Sequence, residues 1–161
     1  MINLDNLKIV KPFLTFSNLE VRPNTRRIII HHTAVKGDLS AKDIHLSHLK
    51  IGYAGIGYHF VIRKNGSIER GRPVWSIGAH AYGCNSNSIG VCLSGNFEIE
   101  TPTTFQIESA ALLIANLCND FNILINRQNI KGHCEVDSTA CPGKNIDLDT
   151  LAGKANWYFS H

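Results

Sequence analysis

Arg27-Ile28-Ile29-Ile30-His31-His32-Thr33-Ala34 is the stretch that decides how this chain folds. Three isoleucines in a row leave no polar side for water. They read as a short strand covered on both faces, which needs a sheet with layers above and below it. Two histidines end the run. Side chains alternate along a strand, so a regular strand sends His31 and His32 to opposite faces. Residues 88–94 read as a second buried strand.

Around these strands the local signals alternate. Ser40-Ala41-Lys42-Asp43 looks like a helix start with a capping box, and Gly52 is a natural stop. Lys64-Asn65-Gly66 separates two extended stretches, 58–63 and 67–70, as a hairpin turn does. Thr103 and Gln106 form a second capping box. Beyond it Ile107, Ala110, Ala111, Ile114, Leu117, Cys118 and Phe121 keep the three-four spacing of one buried helix face. Residues 130–133 suggest a short strand, and Asp147 caps a last helix running through Trp157 and Tyr158. Strands alternating with helices, plus one hairpin, predict an α/β fold: a single domain with a mixed central sheet and helices on its faces. Residues 1–25, ending in the turn signal Arg22-Pro23-Asn24, read as a lead-in segment, and 26–161 as the catalytic domain.

Composition narrows the classes. The chain has 161 residues, 43% hydrophobic and 18% charged, enough for one real core and too apolar for disorder. Its net charge of +3 is mild and suits a polyanionic, wall-like setting. No lysine or arginine block points to nucleic acid, and no run of eighteen apolar residues to a membrane span or stable membrane association. Met1-Ile2-Asn3-Leu4-Asp5-Asn6-Leu7-Lys8 shows neither a basic region nor an apolar core of an export signal, so synthesis and initial residence in the cytoplasm are expected. Five cysteines, an odd number without a C-x-x-C pair, read as reduced thiols. Cys84, Cys92, Cys118 and Cys134 are expected to be small buried hydrophobes.

A second stretch carries the chemistry: Lys131-Gly132-His133-Cys134-Glu135-Val136-Asp137-Ser138-Thr139-Ala140-Cys141-Pro142-Gly143. His133 and Cys141 stand eight positions apart. With His31 from the first stretch they make a three-ligand set suited to Zn²⁺. Three protein ligands suit catalysis, because the fourth position stays free for water or substrate. A cysteine hydrolase using Cys141 with a histidine base is the competing reading from these residues.

Five ordered blocks then carry a resemblance: 30–34 around His31, Gly57-Tyr58-His59-Phe60, Gly78-Ala79-His80-Ala81, Asn85-Ser86-Asn87-Ser88-Ile89-Gly90-Val91, and His133 through Pro142. From about Arg26 to Trp157 the chain resembles the zinc-dependent N-acetylmuramoyl-L-alanine amidase family. Phage lysozyme-like amidases and peptidoglycan recognition proteins share that family, and the resemblance implies their fold. It also implies cleavage, by zinc-activated water, of the amide between N-acetylmuramic acid and the L-alanine of the stem peptide. The ligands would be His31, His133 and Cys141. Tyr58 matches the active-site tyrosine. With an ordinary phenol pKa it suits hydrogen-bond donation to the developing oxyanion better than base catalysis. Thr139 stands where some phage amidases have lysine, so it offers a hydroxyl without a charge. His80 and Asn85 match positions that contact substrate, and Trp75 is a candidate wall of the same groove.

Amidases that recycle anhydro-muropeptides resemble this family too, but carry a glutamate and an aspartate where this chain has Cys92 and Cys141. That difference favours the phage branch. Glu135 reads either as a partner orienting a ligand histidine or as a solvated carboxylate, and His45, His48 and His59 as structural. The implied role is a phage-type endolysin, a monomer that reaches the cell wall after release by a separate holin-type partner. The alternatives are a peptidoglycan-binding module without catalysis and a cytoplasmic recycling amidase.

Overall fold

A computed structural model describes residues 7–161. The absence of an export signal was read largely from residues 1–6, which lie outside the described residues. Among the described residues, six strands form one mixed sheet: β1 (Ile9–Val10), β2 (Arg27–His32), β3 (Phe60–Ile62), β4 (Ile68–Arg70), β5 (Ser88–Leu93) and β6 (Ile130–Gly132). Their spatial order is β1-β4-β3-β5-β2-β6, with β3 and β4 antiparallel and every other neighbouring pair parallel. Three helices accompany it: α1 (Ala41–Lys50), α2 (Thr104–Asp120) and α3 (Leu148–Ser160). No helix of the described residues is long and apolar enough to cross a membrane.

The helix starts follow the local chemistry. Ser40 accepts the Asp43 N–H while Asp43 accepts the Ser40 N–H, and Thr103 and Gln106 do the same at α2. Asp147 caps α3 through the Thr150 N–H. Each such cap supplies acceptors for N–H groups that have no partner within the helix. The β3–β4 turn depends on Gly66 at φ +88°, a backbone shape that costs a side-chain-bearing residue more.

The alternation of the strands sorts the two faces. Ile28, Ile30, Phe60, Ile62, Ile68, Ile89, Val91 and Leu93 all face α2 and α3 and join their apolar residues in one large core. The opposite side holds a smaller cluster of Ala41, Ile44, Ile56 and Val61 beneath α1. β2 and β5 run in register at the sheet centre, so His31 lies beside Cys92 and His32 beside Leu93.

Three departures from the sequence reading have physical causes. β3 begins at Phe60 rather than at 58, because Gly71 and Arg72 donate consecutively to the His59 and Tyr58 carbonyls. Consecutive bonds break the every-other-residue pattern of an antiparallel ladder. β6 ends at Gly132, where His133–Glu135 turn into a single 3-10 turn. Residues 9 and 10, read as part of a lead-in, pair with Ile68 and Glu69 and add an edge strand.

Candidate functional site

His31 stands at the end of β2 on the face away from α2 and α3, fully buried. His133 opens the 3-10 turn after β6, and Cys141 arrives from the loop beyond it. That loop is tied to the turn by the Cys134 N–H, which donates to the Cys141 carbonyl at 2.7 Å. His31 Nδ1 lies 3.7 Å from Cys141 Sγ, and the His31 and His133 rings are 4.6 Å apart between centroids. One donor atom from each of His31, His133 and Cys141 falls within 4.8 Å of the others. His133 Nε2 is buried with no hydrogen-bond partner, its closest carboxylate oxygen being Asp137 Oδ2 at 3.6 Å. Two imidazoles and a thiol converging around a nitrogen that has no other partner fit a metal ion. This group could therefore bind a metal.

The electrostatics agree. Burial, then the neighbouring His133, His32 and His59, holds His31 well below the usual histidine range. Burial lowers His133 as well, against the opposing pull of Asp137. Both imidazoles are thus neutral near pH 7, with lone pairs to offer. Burial pushes the Cys141 thiol up to about 11, although the His32 N–H directed at its sulfur at 3.4 Å opposes the shift. A metal would have to displace that one proton.

Tyr58 sits beside this group, its ring centroid 4.9 Å from that of His31. Burial, then the nearby Cys92 and Cys141 thiols, raises its phenol well above 10, so it remains a donor. The Cys92 thiol lies close enough to its hydroxyl to affect it, a neighbour the sequence reading did not connect to it. Thr139 is exposed, and its Oγ1 accepts the Cys141 N–H at 3.2 Å, which leaves the hydroxyl proton available.

Two cavities flank the donor group. One of about 360 Å³ includes Tyr53, Tyr82, Asn85, His133 and Asp137 in its lining. The other, about 180 Å³, is bordered by Thr33, Leu39, Ser47, His48 and Tyr58. Larger hollows of about 480 and 500 Å³ lie elsewhere and touch none of His31, Tyr58, His133 and Cys141. Of the smaller pair, one is lined by His133 and the other by Tyr58, so the donor group is approached from both.

The remaining candidates separate. Asn85 borders the larger flanking cavity, but its Oδ1 is occupied by the His80 and Ala81 N–H groups at 2.8 and 2.9 Å. His80 is 8% exposed and directs Nδ1 at His31 Nε2, 2.9 Å away. Trp75 is half exposed and lines neither flanking cavity. Glu135 accepts the Gly132 N–H at 2.9 Å and pairs with Arg127, so it pins the backbone of the His133 turn. His32 faces the large core, as alternation requires, and its Nδ1 accepts the Phe97 N–H at 3.1 Å. Cys92 and Cys118 are buried as expected, whereas Cys84 is half-buried and Cys134 exposed, each on a loop or turn outside the core. Sequence reasoning missed Tyr53, His48 and Asp137. Of these, only Asp137, four residues after His133, stood close enough to a named ligand to be suspected.

Comparison with known proteins gives one consistent result. Residues 21–144 match the family model described as N-acetylmuramoyl-L-alanine amidase. The endolysin of Escherichia phage T7 is 33% identical over 132 residues, covering 78% of this chain and 85% of that protein. Peptidoglycan-recognition protein SC2 of Drosophila simulans is 37% identical over 139 residues, covering 80% and 73%. Among solved structures, the N-acetylmuramoyl-L-alanine amidase LysC from Clostridium intestinale URNW superposes with a TM-score of 0.87 at 38% identity, covering 93% of this chain and 98% of that one.

Proposed function

This chain belongs to the N-acetylmuramoyl-L-alanine amidase family, and on that premise we propose that it hydrolyses the amide between N-acetylmuramic acid and the L-alanine of the peptidoglycan stem peptide. The observation that carries the reading is the convergence of His31, His133 and Cys141 donors, with His133 and the neighbouring protonated Tyr58 each lining a cavity. A bond buried in a long polymer can be presented to such a site, with the glycan on one side and the peptide on the other.

The metal is zinc in this reading, because two neutral imidazoles and one thiolate form a borderline-soft set of three. Bound there, zinc would supply Lewis-acid chemistry, activating water at neutral pH and polarising a carbonyl. The chain's own residues do the rest. Tyr58 donates its hydroxyl proton to the oxygen that gains charge as the amide carbon becomes tetrahedral. Thr139 offers a second, weaker donor while its oxygen holds the Cys141 N–H. Neither carries charge, so together they orient and stabilise without serving as the base. Asn85 and His80 shape the wall of the larger cavity, and Trp75 stands outside both.

The biological role is bacterial wall lysis as a phage-type endolysin, acting as a monomer after a separate holin-type pore opens the membrane. Its support is the similarity to the T7 endolysin and a donor set completed within one chain. Cys92, where recycling amidases would place a carboxylate, points the same way.

The test is mass spectrometry of fragments released from defined peptidoglycans, with and without a chelator, beside the metal content of the purified protein. Free stem peptides beginning at L-alanine, released only by the zinc-loaded protein, are expected. Binding to sacculi without cleavage would replace this reading with a recognition module. Strong preference for soluble anhydro-muropeptides over sacculi would replace the lytic role with recycling.

A further inference from the structure

His80 has a place in the site that substrate contact does not explain. Its Nδ1 lies 2.9 Å from His31 Nε2, and its Nε2 lies 3.4 Å from Ser88 Oγ. The Ser88 hydroxyl donates to the Cys84 carbonyl at 2.6 Å, so its proton is committed there. Only a lone pair of that oxygen remains to face His80 Nε2, which must then carry the imidazole proton. His80 Nδ1 is consequently bare and can only accept. The proton between the two rings therefore belongs to His31 Nε2, and the bare nitrogen of His31 is Nδ1. That is the nitrogen 3.7 Å from Cys141 Sγ.

The backbone is shaped to keep His80 there. A Cβ on Gly90, in the neighbouring strand, would stand 2.6 Å from His80 Cγ, and one on Gly78 would stand 2.6 Å from His80 Cδ2. Both positions admit the ring only because they are glycine. Asn85 Oδ1 accepts the His80 and Ala81 N–H groups and so ties down the backbone that carries the ring.

From this chain of donors we infer that His80 is a positioning residue: it accepts the His31 Nε2–H and thereby holds His31 with its Nδ1 lone pair turned to Cys141 and His133. The inference rests on the amidase reading only for what the lone pair serves. Partners of this kind fix ligand tautomers in metal sites, and removing them typically weakens metal binding about 10–100-fold.

Long-range proton–nitrogen NMR spectra of the ¹⁵N-labelled, metal-free protein read the tautomers directly, independently of whether the protein proves to be an amidase. His31 and His80 are both expected as Nε2–H tautomers, and a His31 protonated at Nδ1 would overturn the inference. Zinc affinity by chelator competition is the second readout. His80→Phe, which keeps a ring but has no acceptor, is expected to weaken binding about 10–100-fold. His80→Asn, whose Oδ1 takes the place of Nδ1, is expected to recover most of it. Equal affinity in wild type and His80→Phe would overturn the inference, as would an Asn variant no better than Phe while circular dichroism shows both folded.

Discussion

On the side of the sheet facing α2 and α3, the strands present Ile28, Ile30, Val91 and Leu93 to a continuous apolar layer. On the other side the same strands present His31, Gly90 and Cys92, joined by His59, His80 and Arg72 from the connecting segments. The first side is held by area removed from water, which is not directional and tolerates rearrangement. The second is held by partners. Arg72 donates to the carbonyls of Ile56, Ile77 and Gly55, and His45 Nδ1 accepts the Ile56 N–H. His59 joins the Gly90 N–H to the Ser76 carbonyl. A buried polar group without partners costs more than the pair contributes, so this layer keeps each group where its bonds are. Against that background the unpartnered His133 Nε2 stands out as a nitrogen left for something else. One layer supplies stability, and the other supplies position.

Substitutions that separate stability from position break or sharpen this contrast. The largest effect belongs to Cys141→Ala or His133→Ala, each expected to lose bound zinc and all measurable amide cleavage, while thermal unfolding stays close to that of the metal-free wild type, both lacking the stabilisation that bound zinc adds. Full zinc occupancy by elemental analysis in either variant would remove the assignment. Tyr58→Phe is expected to keep fold and zinc while turnover on peptidoglycan falls on the order of 10²–10³, the usual cost of losing one donor to an oxyanion. Wild-type turnover would make this tyrosine a packing residue.

Ile114→Ala, on the apolar side, should do the reverse. It is expected to cost about 2–5 kcal/mol in urea unfolding, with zinc affinity of the folded protein unchanged. A coupled loss of zinc affinity would mean that the layers are not separable.

Acid tests the polar layer from another direction. Burial lowers His59 to about 3, against 6.5 for an ordinary histidine. Its contribution is whole above pH 6.5 and is lost as pH falls from 6.5 towards 3, because the unfolded chain binds a proton that the folded chain refuses. Within that window His59 should add a slope of about 1.4 kcal/mol per pH unit to the unfolding free energy. His59→Gln, measured by urea unfolding at several pH values, is expected to flatten the curve by that amount. The smallest effect is that of Thr139→Val. Losing one exposed donor of about 1 kcal/mol should lower turnover only severalfold.

Legibility from sequence followed the same division. The isoleucine run, both capping boxes, the Asn65-Gly66 turn and the periodic face of α2 are local or periodic signals, and each appears in the structure where it was read. His31, His133 and Cys141 could be singled out because few residue types bind soft metals, and the structure brings them together. The support of His31 by His80 could not be read that way. The rings are 49 positions apart, and they meet only through the register of β2 with β5 and the room left by one glycine in the loop and one in β5. Nor could β1, since two residues are too few to show any period. The Tyr58–Cys92 contact was equally hidden, being a matter of which sheet face each occupies.

The order of the strands has one more consequence. Among the described residues the six-residue strands β2 and β5 are interior, while the rims are β1, of two residues, and β6, of three. A second molecule seeking to extend the sheet would find almost no free ladder of N–H and C=O groups to copy. Short rims are a recognised guard against edge-to-edge aggregation. Among the described residues, growth of the sheet from either rim therefore has little exposed backbone to start from.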